Sequence, residues 1–176
     1  MLIRYKNLTI RNATKDDAAI LSNWWNDGKI MAHAGFPKGL GTTPNEVELQ
    51  LLQDSDDVRR SLMIESDNIP IGEMSYRNKG NGTAEIGIKI CDFSKQEIGY
   101  GKRLLSMLIN FLFEEIGYSK IILDTNLNNR RAQHVYEELG FKKVKINIDS
   151  WRNQLGELQS SIDYEMNNND FINFAK

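Results

Sequence analysis

The segment Gln96-Glu97-Ile98-Gly99-Tyr100-Gly101-Lys102 ends one apolar run and opens another, and it constrains the chain more than any other stretch. Before it, Glu85-Ile86-Gly87-Ile88-Lys89-Ile90 alternates with period two and is rich in β-branched residues, the pattern of a strand. After it, Leu104, Leu105, Leu108, Ile109, Leu112 and Ile116 recur at helical spacing up to a stop at Gly117. The spacing predicts a strand-to-helix turn with two glycines at the helix N-terminus. The first N–H groups of a helix lack intrahelical partners, and glycine removes the Cβ that would keep an anion away from them. An ordinary glycine turn fits these residues equally well. Two familiar phosphate loops do not. A P-loop needs a glycine where Gln96 stands and a Ser or Thr where Arg103 stands. The dinucleotide fingerprint needs a small residue at the place of Leu104.

The 176 residues suit one domain spanning 1–176, with ample chain for a core. A net charge of −2 gives no global attraction to nucleic acid or to an anionic membrane. Cys91 is the only cysteine, and His33 and His134 are the only histidines. Neither a disulfide nor a protein-only zinc cluster is expected, and no metal. No apolar run approaches ~18 residues and Met1 to Lys6 has no signal-type apolar stretch, so the expectation is a cytoplasmic chain without a membrane span.

In chain order, Leu8 to Arg11 reads as a first strand, and Thr14 with Asp17 as a capping box for a helix to about Trp25. Asp27 to Thr42, with four glycines and Pro37, reads as a long irregular segment that carries Met31, His33 and Phe36. Thr43-Pro44-Asn45-Glu46 then starts a second helix, to about Asp54. Ser61 to Glu65, Ile71 to Arg77 and Thr83 to Ile90 form an antiparallel meander. Lys120 to Thr125 is short and apolar enough for a buried, parallel strand. A helix carrying Ala132, Val135, Tyr136 and Leu139 stops at Gly140, and strands from Phe141 to Ile148 and Glu157 to Met166 finish the sheet.

With these residues placed, the chain resembles the GCN5-related N-acetyltransferase (GNAT) superfamily. Gln96, Gly99 and Gly101 match its Gln/Arg-x-x-Gly-x-Gly/Ala signature, and a second match runs through Asn129, Arg131, Ala132, Tyr136, Glu137, Gly140 and Phe141. The layout is most similar to the branch of ribosomal-protein N-terminal acetyltransferases and their small-molecule relatives. The resemblance implies an α+β fold: a mostly antiparallel sheet of about seven strands flanked by about four helices, with a splayed parallel pair at Thr83–Ile90 and Lys120–Thr125. It implies acetyl-coenzyme A as co-substrate, with the pantetheine arm along Ile88 and Ile90. The pyrophosphate would meet the amides of Gln96, Glu97, Ile98, Gly99, Tyr100, Gly101 and Lys102, and Asn129 and Tyr136 would meet the arm. Glu97 departs from the Lys or Arg of many relatives.

An amine must be neutral to attack a thioester, whereas a free alkylamine has a pKa of ~10.4. Glu85 and Glu73 are the candidate bases, direct or through water. Tyr136 is the implied proton donor to the leaving thiolate. The acceptor, a small-molecule amine or a peptide N-terminus, is expected near Trp25, Asp27, His33, Phe36, Tyr76 and Trp151. Asp27, Glu73, Glu85 and Asp124 would make that mouth acidic and favour a cationic amine. Asp124 is read as orienting Asn126 or lining the substrate side, and not as catalytic. The rival reading is a non-catalytic acyl-coenzyme A sensor. No nucleic acid or membrane partner is expected, and the chain is expected to be a monomer or homodimer.

Overall fold

The computed structural model describes all residues, 1–176. Eight strands form one sheet: β1 (Leu2–Tyr5), β2 (Leu8–Asn12), β3 (Arg59–Ser66), β4 (Ile69–Gly80), β5 (Thr83–Ile90), β6 (Lys120–Asn126), β7 (Lys142–Arg152) and β8 (Leu158–Asn167). Five α-helices flank it: α1 (Ala18–Asn26), α2 (Gly28–Met31), α3 (Pro44–Leu51), α4 (Tyr100–Phe111) and α5 (Arg130–Leu139). The strand order is β1-β2-β3-β4-β5-β6-β8-β7, and only β5 and β6 run parallel.

Period-two alternation sorts the residues onto two faces. Ile64, Met74, Tyr76, Ala84, Ile86, Ile121 and Leu123 join the larger core with Leu104, Leu105 and Leu108 of α4 and Tyr136 and Leu139 of α5. On the opposite face Met63 packs with Leu21 and Trp25 of α1, Met31 of α2 and Val47 and Leu51 of α3. The β3–β4 turn has both Asp67 and Asn68 at positive φ, 54° and 64°, which matches the twist of a tight hairpin.

The pairing of β5 with β6 covers only Thr83–Lys120, Ala84–Ile121 and Glu85–Ile122. Beyond Glu85 the two strands part, and β5 is paired from Gly87 to Ile90 only with β4. An open edge of β5 therefore faces a cleft in the middle of the sheet.

Several details differ from the sequence expectations. The sheet has eight strands because Leu2–Tyr5 folds back on Leu8–Asn12 about Lys6, whose φ is 54°. No residue of this outer strand is fully buried; Ile3 and Tyr5 pack partly against the core and Leu2 and Arg4 are exposed, so four residues give only a weak strand signal. The segment after Asp27 is not irregular throughout: the Asp27 carboxylate accepts from the Lys29 N–H at 2.8 Å and caps α2, and a further turn ends at Gly35. α4 gives way at Leu112 to one wide turn, closed by the Gly117 N–H on the Leu112 carbonyl at 3.1 Å. No helix is long and apolar enough to cross a membrane.

Candidate active site

The glycine turn has the predicted form. Gln96 donates from Nε2 to the Ile90 carbonyl at 2.8 Å, tying the turn to the end of β5. Glu97 and Gly99 both take left-handed backbone, with φ of 62° and 82°, and α4 begins at Tyr100. Tyr100, Gly101 and Lys102 form its first turn, so their N–H groups have no helical acceptor. α5 starts opposite, capped by the Asn129 side chain, which accepts from the Ala132 N–H at 3.2 Å.

Between these two helix starts lies a cavity of about 800 Å3 that runs through the splay. Ile88, Ile90, Gln96, Glu97, Gly99, Gly101, Lys102, Asn129 and Tyr136 all line it, and His33 and Trp151 close its far end. Ile98 is exposed and does not line the cavity. The Tyr100 phenol points elsewhere, accepting from Asn7 at 2.9 Å, so only its backbone belongs to the turn. Glu97 is neutralised by Arg131 of α5, whose Nη1 lies 3.1 Å from Glu97 Oε1 and whose Nη2 donates to Gln96 at 2.9 Å. Lys102 is likewise engaged, with both carboxylate oxygens of Glu138 at 3.1 Å.

Tyr136 is buried, packed edge-on against Phe141 and Tyr164 at centroid distances of 5.9 and 5.7 Å. Burial, and then the negative charge of Asp124, push its phenol up to about 12. Asp124 itself, twelve residues earlier at the splayed end of β6, lines the same cavity. The cleft leaves this side chain open to solvent while its walls surround it. That enclosure, followed by repulsion from Glu85 and Asp163, raises its pKa.

A second cavity, of about 640 Å3, lies on the face covered by α1 and α3 and shares Gly87, Ile88 and Lys89 with the first. Trp25 and Glu73 line it. Glu73 is not free: its Oε1 accepts from Trp25 Nε1 at 2.8 Å and from Lys89 Nζ at 3.2 Å. Lys89 also lies 3.1 Å from Met31 Sδ. Glu85 lines neither cavity and pairs with Lys79 at 3.5 Å and Arg77 at 3.9 Å.

The structure does not bring all the expected acceptor residues together. Tyr76 is fully buried on the opposite face, in the core beneath α4, with its hydroxyl donating to Asp56 at 2.7 Å. Its position between Ser75 and Arg77 explains this, because adjacent strand residues point to opposite sides. Asp27 is spent on the α2 cap, and Phe36 packs against the smaller core rather than lining a cavity. Asp124 lines the first cavity, consistent with a place on the substrate side, and two residues not singled out from the sequence, Lys89 and Arg59, also line the cavities. The signal for Lys89 was a charge inside an apolar strand; its partner depended on register.

A splayed sheet edge, a helix N-terminus at its end and a buried tyrosine beside it border one cleft. The profile of the family described as Acetyltransferase (GNAT) domain matches residues 7–142. The chain belongs to the GNAT acetyltransferase family. It is 27% identical over 143 residues to a prophage-derived uncharacterized N-acetyltransferase of Bacillus subtilis, YokL, covering 78% of this chain and 77% of that protein. Among solved structures it is similar to the spermidine N-acetyltransferase of Vibrio cholerae in complex with CoA and spermine (22% identity, 96% and 99% covered, TM-score 0.81). It is also similar to the ribosomal-protein-S5-alanine acetyltransferase of Vibrio fischeri (19% identity, 98% and 99% covered, TM-score 0.83). At these identities the solved structures speak for the fold of this GNAT chain, an open, mostly antiparallel sheet with one parallel pair.

Proposed function

We propose that this GNAT chain moves the acetyl group of acetyl-coenzyme A to a primary amine by direct attack in a ternary complex. The observation that carries the reading is the open edge of β5, which runs from Gly87 past Ile88 and Ile90 into the amides of Tyr100, Gly101 and Lys102. Backbone groups without a partner on an open strand edge accept an added strand, which suits the amides of a pantetheine arm. A diphosphate suits the first turn of α4.

Asp124 is the base this geometry favours over Glu85 and Glu73, because it lines the cleft and has no cation bound to it. A carboxyl with a raised pKa is better matched to taking a proton from an ammonium group. The neutral amine then attacks the thioester carbon, the new C–N bond forms, the C–S bond breaks with its electron pair on sulfur, and the proton the acylated nitrogen sheds ends on that sulfur, giving the amide and the free thiol. Tyr136 is held protonated by its surroundings and donates its hydroxyl to that sulfur. Against a thiol near 8.5, a phenol near 12 makes complete proton transfer uphill by about 5 kcal/mol, so its main contribution is a hydrogen bond to the developing thiolate.

Free-thiol release from acetyl-coenzyme A, measured across an amine panel with native protein and Tyr136→Phe, tests this. Tyrosine-dependent release supports transfer. Silence on every amine, with tight coenzyme A binding in calorimetry, supports a sensor instead.

A further inference from the structure

The second cavity has a floor made by one cross-strand row, Ser61 of β3, Ser75 of β4 and Gly87 of β5. Gly87 contributes no side chain, and even an added Cβ would stand 3.5 Å from Ser75 Oγ. The row is therefore a shallow trough leading from the open edge of β5 to Ser61. Ser61 is 4% exposed, and its hydroxyl has no hydrogen-bond partner. Two residues along the same face of β3, Arg59 also lines the cavity, and its guanidinium makes no hydrogen bond or ion pair within the protein.

The other charged side chains lining the cavity are already engaged, although only Lys89 and Glu73 meet an opposite charge. Lys89 holds Glu73, and Glu46 spends its carboxylate on the start of α3, accepting from the Thr43 N–H at 2.8 Å and Thr42 Oγ1 at 3.1 Å. Arg59 stands directly across from Arg77, and like charges opposite one another in a sheet repel. The cation left without a partner is the Arg59 guanidinium, with two hydroxyls beside it and the Glu46 carboxylate turned to the helix start. Of the acidic mouth expected from the sequence, Glu73 and Glu85 are paired with cations and Asp27 caps α2, which leaves Asp124, in the first cavity, as the carboxylate facing the cleft.

We infer that Arg59, Ser61 and Ser75 bind a carboxylate of the acetyl acceptor, so that the acceptor is an ω-amino acid or short peptide rather than a polyamine. This rests on the transfer reading above. A planar guanidinium fork with hydroxyls beside it matches a carboxylate. A doubly charged phosphate would meet a single guanidinium with Glu46 and Glu73 nearby. Ser61 lies two strand spacings from Gly87, about 10 Å. An ω-amino acid or a free dipeptide spans that gap; an α-amino acid does not.

The experiment compares 6-aminohexanoate, its carboxamide and hexylamine as acceptors, with spermidine alongside, by thiol release. Calorimetry of the same compounds on the coenzyme A-loaded protein supplies a readout that needs no turnover. The acid is expected to exceed its amide in kcat/KM by roughly tenfold or more, the worth of a charged hydrogen bond. Arg59→Ala should raise KM for the acid and remove the preference, with Arg59→Lys and Ser61→Ala keeping part of it. The comparison of acid with amide on native protein stands even where a variant fails to fold. Equal rates for acid and amide, or a preference for spermidine, overturn the inference. No turnover with any amine, yet Arg59-dependent binding of the acid alone, upholds the carboxylate site and sinks the transfer reading. No turnover and no selective binding overturns the inference.

Discussion

Arg131 and Glu97 join the starts of α5 and α4 across the cleft, with Nη1 3.1 Å from Oε1. Both side chains are more than half exposed, so the pair adds little to stability, and its consequence is electrostatic. Glu97 places a negative charge beside the first turn of α4 and occupies the guanidinium that would otherwise face a diphosphate. Glu97→Gln should therefore tighten coenzyme A binding roughly two- to fivefold at low salt, the usual worth of a charge at a helix end. Calorimetry at two ionic strengths checks it, because the gain should shrink as salt screens the site. An unchanged Kd at low salt would mean the charge at this position is immaterial.

Tyr136 has a buried ring and a hydroxyl with no protein partner. Its removal should cost function without costing the fold. Tyr136→Phe is expected to lower kcat by about 10²–10⁴-fold, the range of acid–base groups, while the Kd for coenzyme A and the Tm hardly move. A large fall in Tm would show that the hydroxyl is structural.

How far the sequence carried this picture depended on whether a feature is local. β5 was bounded at Thr83 and Ile90 as observed, because alternation and flanking turns mark it. The cap at Thr43 and the stop at Gly140 were equally local. α2 was missed since four residues are too few for a periodic signal and the helix stands on the Asp27 cap and Met31 packing. Tyr76 was misplaced although the alternation that buries Met74 already put it on the face away from Glu73. The cations that occupy Glu73 and Glu85 come from cross-strand register, Glu73 opposite Lys89 and Arg77 opposite Glu85, which no single strand reveals.

Asp124 gives a pH prediction in two parts. Its folded pKa is raised above the unfolded value of ~3.9, so the native state holds more proton between the two values and stability falls as pH rises through that window. Above the window the cost is constant. Asp124→Asn should thus slightly raise Tm at neutral pH while kcat drops by about 10²–10⁴-fold. In native protein, kcat/KM should climb as Asp124 ionises, and that lower limb should be absent from the variant's profile. A variant that keeps its activity would return the proton to Glu85, Glu73 or water.

The segment from Gly28 to Gly39 is held by close backbone approaches that no side chain can share. A Cβ on Gly28 would fall 2.0 Å from the Pro37 carbonyl oxygen, and one on Gly39 would fall 2.1 Å from that of Asn26. Gly35, at φ 95°, lies against the Trp151 ring, and a Cβ there would sit 2.5 Å from Cζ3. Gln154 of the β7–β8 hairpin clasps the same segment, donating to the Gly35 carbonyl at 2.8 Å and the Gly39 carbonyl at 3.0 Å and accepting from the Lys38 N–H at 2.8 Å. On the transfer reading proposed above, this clasp lies at the acceptor end of the cleft, away from the glycine turn at Gln96. Gln154→Ala should therefore raise the acceptor KM several-fold, about what one or two hydrogen bonds contribute, with the Kd for coenzyme A unchanged. Gly28→Ala should do the same more severely and lower Tm, because the clash is with backbone. Steady-state kinetics beside calorimetry separates the two ends of the cleft, and a parallel loss of coenzyme A affinity would show that the loop and the turn move together.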